Sequence, residues 1–139
     1  MVPQSELNTR LAALQQALVV EGLDAALVVQ HADLFYFCGA VNRAILYVPT
    51  AGTPLLFALP GSERIREETL FPRIENLSRQ ENLPALLQEH GYPLPSVLGL
   101  ESDVLPVAVH SRLAGLFPGA RLADVSGSIR RIRMVKSAW

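Results

Sequence analysis

Leu7, Leu11, Leu14 and Leu18 recur at spacings of four, three and four, which places them on one face of a helix. Ser5 is the expected N-cap, and Gly22 supplies the left-handed residue that ends such helices. Two heptads are too few for a coiled coil, so the leucine seam is expected to face a core. Ala25 to Val29 follows as a continuous apolar run without alternation, the pattern of a strand covered on both faces. Ala32 to Cys38 reads as a short helix closed by Gly39. Ala44–Val48 and Leu55–Leu59 flank a turn bearing Pro49, Gly52 and Pro54, which predicts a hairpin and at least one antiparallel pair.

The second half alternates. Ser62 is expected to cap a helix running to about Leu70, and Arg73 to Leu77 to form a strand. Leu83, Leu86 and Leu87 mark a helix that starts near Asn82 and stops before Gly91. Val97 to Leu100 resumes as a strand after Pro93 and Pro95. Pro106 opens a helix to about Leu116, which Pro118-Gly119 terminates. Arg121 to Ala123 reads as a short edge strand, and Asp124 or Ser126 starts a last helix carrying Ile129 and Ile132. Helix and strand alternate around one hairpin, which predicts a single three-layer α/β domain over residues 1–139, a mixed β-sheet flanked by helices. The final residues carry no Gly, Pro or polar stop, and a large terminal Trp is a poor natural end, so further polypeptide is expected to follow Trp139.

Composition narrows the function classes. Half of the 139 residues are hydrophobic, which excludes intrinsic disorder. With 12 basic against 13 acidic residues the chain lacks the basic excess of a nucleic-acid platform. No apolar stretch reaches the roughly 20 residues that span a bilayer, and the N-terminus lacks the features of a secretory signal. The single cysteine, Cys38, excludes an internal disulfide framework and any multi-cysteine zinc site. A cytoplasmic location is the simplest expectation.

Candidate chemistry is sparse. His31, His90 and His110 have no helical zinc spacing. His90 is expected to meet the last carbonyls of its helix, and His110 to be a surface residue. His31 follows a strand end, where α/β folds place ligands, though a loop histidine bonded to backbone is the blander reading. Asp24, Asp33, Glu101, Asp103 and Asp124 flank strands or caps. Converging, they could serve a metal-dependent nuclease of the ribonuclease-H type; otherwise Asp103 and Asp124 are helix caps and Asp24 a turn residue. Cys38 sits in an apolar setting that would raise its thiol pKa, and is expected in the core. Arg130, Arg131, Arg133 and Lys136 crowd one helix end, where they would complement the helix dipole; Arg133 and Lys136 share a face, Ile129 and Ile132 another.

Taken in order, several of these segments resemble one family. Arg10 to Leu18 with Gly22-Leu23-Asp24-Ala25 is similar to the opening helix and first strand of the creatinase/prolidase N-terminal domain, which precedes the catalytic half in Xaa-Pro dipeptidases and aminopeptidase P. Asp33-Leu34-Phe35-Tyr36-Phe37-Cys38-Gly39 resembles its N-x-x-Y-L-T-G segment, with Asp33 for Asn and Phe37-Cys38 for Leu-Thr. Leu98 to Asp103 resembles a later strand and its acidic exit, and Ile129 to Ser137 the R-x-I-K-S helix that leads into the catalytic domain.

The resemblance implies the α/β fold of that domain, with a ribonuclease-H-like motif, and a non-catalytic role: dimerisation and walling of a substrate site in a metallopeptidase that hydrolyses X-Pro bonds. Divalent metal (Mn, Co or Zn) would belong to the absent catalytic domain, so no catalytic or metal-binding residue carries over to this chain. The implied partners are that catalytic domain, a second copy of the chain and a proline-containing peptide, with neither nucleic acid nor membrane. The loop that would reach substrate is Ala40-Val41-Asn42-Arg43. There Arg43 could clamp a peptide carboxylate and Asn42 bond its backbone, although Arg43 is equally readable as a solvated turn residue. A stand-alone binding or oligomerisation module is the alternative, and a nuclease the remaining one.

Overall fold

The computed structural model describes residues 1–40, 43–62 and 64–135. Helix α1, Gln4–Glu21, buries Leu7, Leu11, Leu14 and Leu18, the seam read from their spacing. Its cap is Pro3 rather than Ser5: the fixed φ of proline presets the turn, and the Pro3 carbonyl accepts the Glu6 and Leu7 N–H groups. Ser5 lies within the first turn. At the other end Gly22 takes φ +75°, a left-handed geometry that side-chain-bearing residues resist, and its N–H meets the carbonyls of Leu18 and Val19.

Strand β1, Ala25–Val28, runs up the middle of the sheet and leads into α2, His31–Cys38. The hairpin follows as β2, Ala44–Pro49, and β3, Leu55–Ala58, antiparallel with Ala44 opposite Ala58 and Tyr47 opposite Leu55. The helix expected from Ser62 to Leu70 is not found among the described residues of that segment. Among those described residues one tight turn forms, Ile65–Glu67. The segment offers one buried apolar residue, Ile65, while Leu70 is exposed, so no face exists for a helix to bury. Thr69 also donates its hydroxyl to the Cys38 carbonyl and accepts the Phe71 N–H, which turns the chain away.

Then come β4, Ile74–Asn76; α3, Leu83–Glu89; β5, Val97–Leu100; α4, Val107–Leu116; β6, Arg121–Asp124; and α5, Ser126–Met134. The strand order is β4-β3-β2-β1-β5-β6, with β1 to β3 an antiparallel meander and β4, β5 and β6 each added parallel to a neighbour. The mixed sheet and the edge position of β6 match expectation.

Alternate side chains of the central strands feed two cores. Ala26, Val28, Leu46 and Leu56 join α1, α2 and α5 on one face. Ala25, Leu27, Ile45 and Phe57 join α3 and α4 on the other. That is the three-layer arrangement, and it accounts for the unbroken apolar run of β1. Gly99 in β5 allows the closest approach: a Cβ there would lie 2.6 Å from Leu23 Cδ2 and 3.1 Å from Val125 Cβ. Cys38 is fully buried, and that burial pushes its thiol far up, as its apolar setting implied.

Candidate functional site

Strands β1 and β5 are parallel neighbours, so both end at the same edge of the sheet. Beyond Val28 the backbone leaves β1, and the N–H groups of Val29 and Gln30 turn toward the residue that follows β5. That residue is Glu101, whose Oε1 accepts both, at 2.8 and 3.1 Å. Glu101 is fully buried. Burial, reinforced by the neighbouring Asp33 carboxyl and opposed by the two backbone N–H groups, pushes its pKa up to about 8. At neutral pH Glu101 therefore holds a proton. The proton belongs on Oε2, because Oε1 already accepts two bonds and Oε2 has no partner of good geometry among the described residues.

Asp33 sits in the first turn of α2, where its N–H donates to the side chain of the N-cap Gln30 at 2.9 Å. Its Oδ1 accepts from Arg133 Nη1 of α5 at 2.8 Å. Tyr36, one turn further along α2, carries the Arg10 guanidinium over its ring at 4.3 Å and donates its hydroxyl to the Ile132 carbonyl. The result is a latch of α1, α2 and α5 on one face of the sheet, closed by charge pairs at its rim.

The remaining acids scatter. Asp24 Oδ2 lies at the opposite end of the sheet and accepts the Ser96 and Val97 N–H groups, fixing the start of β5. Asp124 ends β6 and accepts the Ser126 N–H at 2.9 Å across the turn into α5; the helix itself begins at Ser126, the other expected start, with Val125 rather than Asp124 at its cap position. Asp103 does not cap α4, whose N-cap is Pro106; it pairs with Arg130 at 2.6 Å. Among the described residues no group of three or more His, Cys, Asp or Glu could hold a metal ion. Asp33 and Glu101 approach each other, but Arg133 already supplies the positive charge there. The ribonuclease-H-type nuclease reading required converging acids, and the described residues do not provide them.

The basic cluster of α5 is likewise tied to acids rather than to the helix dipole. Arg130 pairs with Asp103, Arg131 with Glu21 and Arg133 with Asp33. Lys136 lies outside the described residues. His90 ends α3 facing Arg73 and Glu75 instead of its own helix carbonyls, because β4 runs beside that helix end. His110 stands 3.1 Å from the Ser102 hydroxyl.

On the other side of the start of α2 lies a cleft of about 240 Å³. His31, Arg43, Gln80 and Arg112 form its rim, and buried Ile45 and Leu113 belong to its floor. His31 is thus the exposed first residue of α2 rather than a loop histidine. Arg43 immediately precedes β2, and its carbonyl accepts the Leu59 N–H, which extends the hairpin by one bond and fixes the backbone beneath its side chain. Asn42, the other residue expected to reach substrate, lies outside the described residues. Arg112 Nε donates to Gln80 Oε1 at 3.1 Å. Neither Arg43 nor Arg112 faces a carboxylate among the described residues. Sequence reasoning missed Arg112 and Gln80. The available signal was a cation flanking the apolar pair Val109 and Leu113 on α4.

No helix among the described residues is long and apolar enough to cross a membrane. The fold closely follows several solved structures. The Xaa-Pro dipeptidase from Bacillus anthracis superposes with a TM-score of 0.79 at 15% identity over 95% of this chain, which spans 37% of that protein's length. The N-terminal domain of the cytoplasmic peptidase PepQ from Mycobacterium tuberculosis H37Rv gives 0.72 at 24% identity, covering 90% of this chain and 98% of that one. The creatinase/prolidase N-terminal domain of an X-Pro dipeptidase from Streptococcus pyogenes gives 0.73 at 17% identity, with 89% and 98% covered. The sequence profile of the creatinase/prolidase N-terminal domain matches residues 10–135, nearly the whole chain. That match, together with the shared fold, shows that this chain belongs to the creatinase/prolidase N-terminal domain family.

Proposed function

We propose that this chain is the non-catalytic N-terminal domain of a cytoplasmic Xaa-Pro dipeptidase-type metallopeptidase. In that setting it joins a second copy of itself and walls the substrate site of a catalytic half. The observation that carries this reading is the position of Arg43, a guanidinium at the rim of a cleft with no carboxylate opposite it among the described residues. A planar guanidinium grips a carboxylate through two parallel hydrogen bonds, so Arg43, with Asn42 beside it, would hold the end of a short peptide. That action orients substrate and moves no proton. Divalent metal (Mn, Co or Zn) would activate water in the catalytic half. The described residues bring no such ligand set together, so no step through a metal is assigned to them.

The test is kinetic. With this chain joined to its catalytic half, Arg43→Ala should raise KM for X-Pro dipeptides about tenfold and leave kcat nearly unchanged, as loss of a charge-assisted positioning contact does. Unaltered kinetics would remove the loop from the site.

A further inference from the structure

We infer that the cleft between the starts of α2 and β2 and helix α4 binds a small aliphatic carboxylate through Arg43 and Arg112. The inference rests on the reading of Arg43 as a carboxylate-facing residue. It goes further in adding Arg112 and in placing recognition within this chain alone, without a catalytic half.

Charge is the first support. The chain carries 13 acidic residues for 12 basic ones, and Arg10, Arg130, Arg131 and Arg133 each meet one of those acids. Arg43 and Arg112 line one cleft together and meet none among the described residues, and His31 adds an imidazole to the same rim. Two guanidinium groups on one cavity raise its local potential, which an incoming anion relieves.

Orientation is the second. Gln80 holds Arg112 by its Nε, and the two Nη atoms of that guanidinium have no partner among the described residues. A fork fixed at its base with both tips free is prearranged for two-point contact with a planar carboxylate.

The floor is the third. Ile45 and Leu113 are each 1% exposed, so the body of the ligand would rest on aliphatic side chains rather than on hydrogen-bonding groups. A volume of about 240 Å³ falls below the range usual for drug-sized ligands. It suits a molecule the size of one acylated amino acid.

The experiment is a titration of the 139-residue chain with N-acetyl-L-leucine, followed by amide proton–nitrogen correlation spectra. Saturable shifts should appear at Ile45 and Leu113, with a dissociation constant on the order of 1 mM for a ligand so small. Arg112→Ala and Arg43→Ala should each weaken binding about tenfold. Arg112→Lys, which keeps the charge and loses the fork, should fall between. Arg121→Ala, on the exposed edge strand, should change nothing. Absence of saturable shifts would overturn the inference, as would equal binding of neutral N-acetyl-L-leucinamide. Phosphate binding as tight as the acid would reassign the cleft to anions in general, and an inert Arg112→Ala would also overturn the assignment. If these shifts hold while the peptidase kinetics of Arg43→Ala do not change, the cleft stands and the walling role falls; the reverse pair of results spares the walling role and removes the cleft.

Discussion

Two charged regions flank the start of α2. On one side Glu101, Asp33 and Arg133 form a closed set: one buried carboxyl, a second beside it and a guanidinium at the rim, tied to the backbone of β1 and to α5. On the other side His31, Arg43 and Arg112 ring an open cleft with no acid opposite them among the described residues. The first has the composition usually read as a catalytic acid cluster, yet its groups are occupied with one another and with the ends of the sheet. The second has no recognisable motif, yet of the two regions it is the one whose guanidinium groups meet no carboxylate among the described residues. Burial and pairing mark charges that hold the fold together; exposure at a cavity without a partner marks charges available to a ligand.

This contrast can be broken most severely at Glu101. Glu101→Ala strands the Val29 and Gln30 N–H groups in a half-buried place and leaves a small void. The expected cost is about 2–4 kcal/mol in the free energy of unfolding, measured by urea denaturation. A loss below about 0.5 kcal/mol would mean that the closed set is ornamental to the fold.

The pH dependence sharpens the same point with a smaller effect. Glu101 holds its proton up to about pH 8 in the folded chain, against 4.5 for the unperturbed side chain. Between those values the folded state binds a proton that the unfolded chain has released, so stability should fall as pH rises through that window. Glu101→Gln mimics the protonated acid: its carbonyl keeps the two backbone bonds and its amide faces Asp33. The variant should flatten that part of the stability profile and be at least as stable as the parent near pH 8. A profile indistinguishable from the parent's would show that Glu101 is not the group titrating.

The smallest effect belongs to the cleft. Arg43→Ala and Arg112→Ala should each leave the unfolding free energy within about 0.5 kcal/mol of the parent, since exposed side chains without ion-pair partners contribute little to stability. A larger loss in either would place it among the structural charges.

How far the sequence reaches follows from the distance over which each interaction acts. Helix α1 was legible because leucine spacing and Gly22 are local signals, and β1 because an unalternating apolar run has few other uses. The hairpin was legible from its turn residues. The failed helix after Ser62 shows the limit of a cap signal without an apolar face behind it. Ser5 shows that a neighbouring proline can take over the cap position. The closed charge set was illegible for a different reason. Glu101 meets the backbone at Val29 across 72 positions and Arg133 meets Asp33 across 100, and only the parallel crossover to β5 and the docking of α5 bring them together. Asp33, the acid standing where the resembling motif has asparagine, is the one that accepts Arg133. Arg43 came from the motif that precedes it. Arg112 and His31 could not be grouped with it until α4 was laid across the sheet.

The claim on which the functional reading depends is that this chain positions substrate and performs no chemistry. Incubating the purified 139-residue chain with an X-Pro dipeptide, with and without Mn²⁺, tests it most directly. The expected result is no proline released above the buffer rate, whereas metal-stimulated turnover that survives repurification would contradict it.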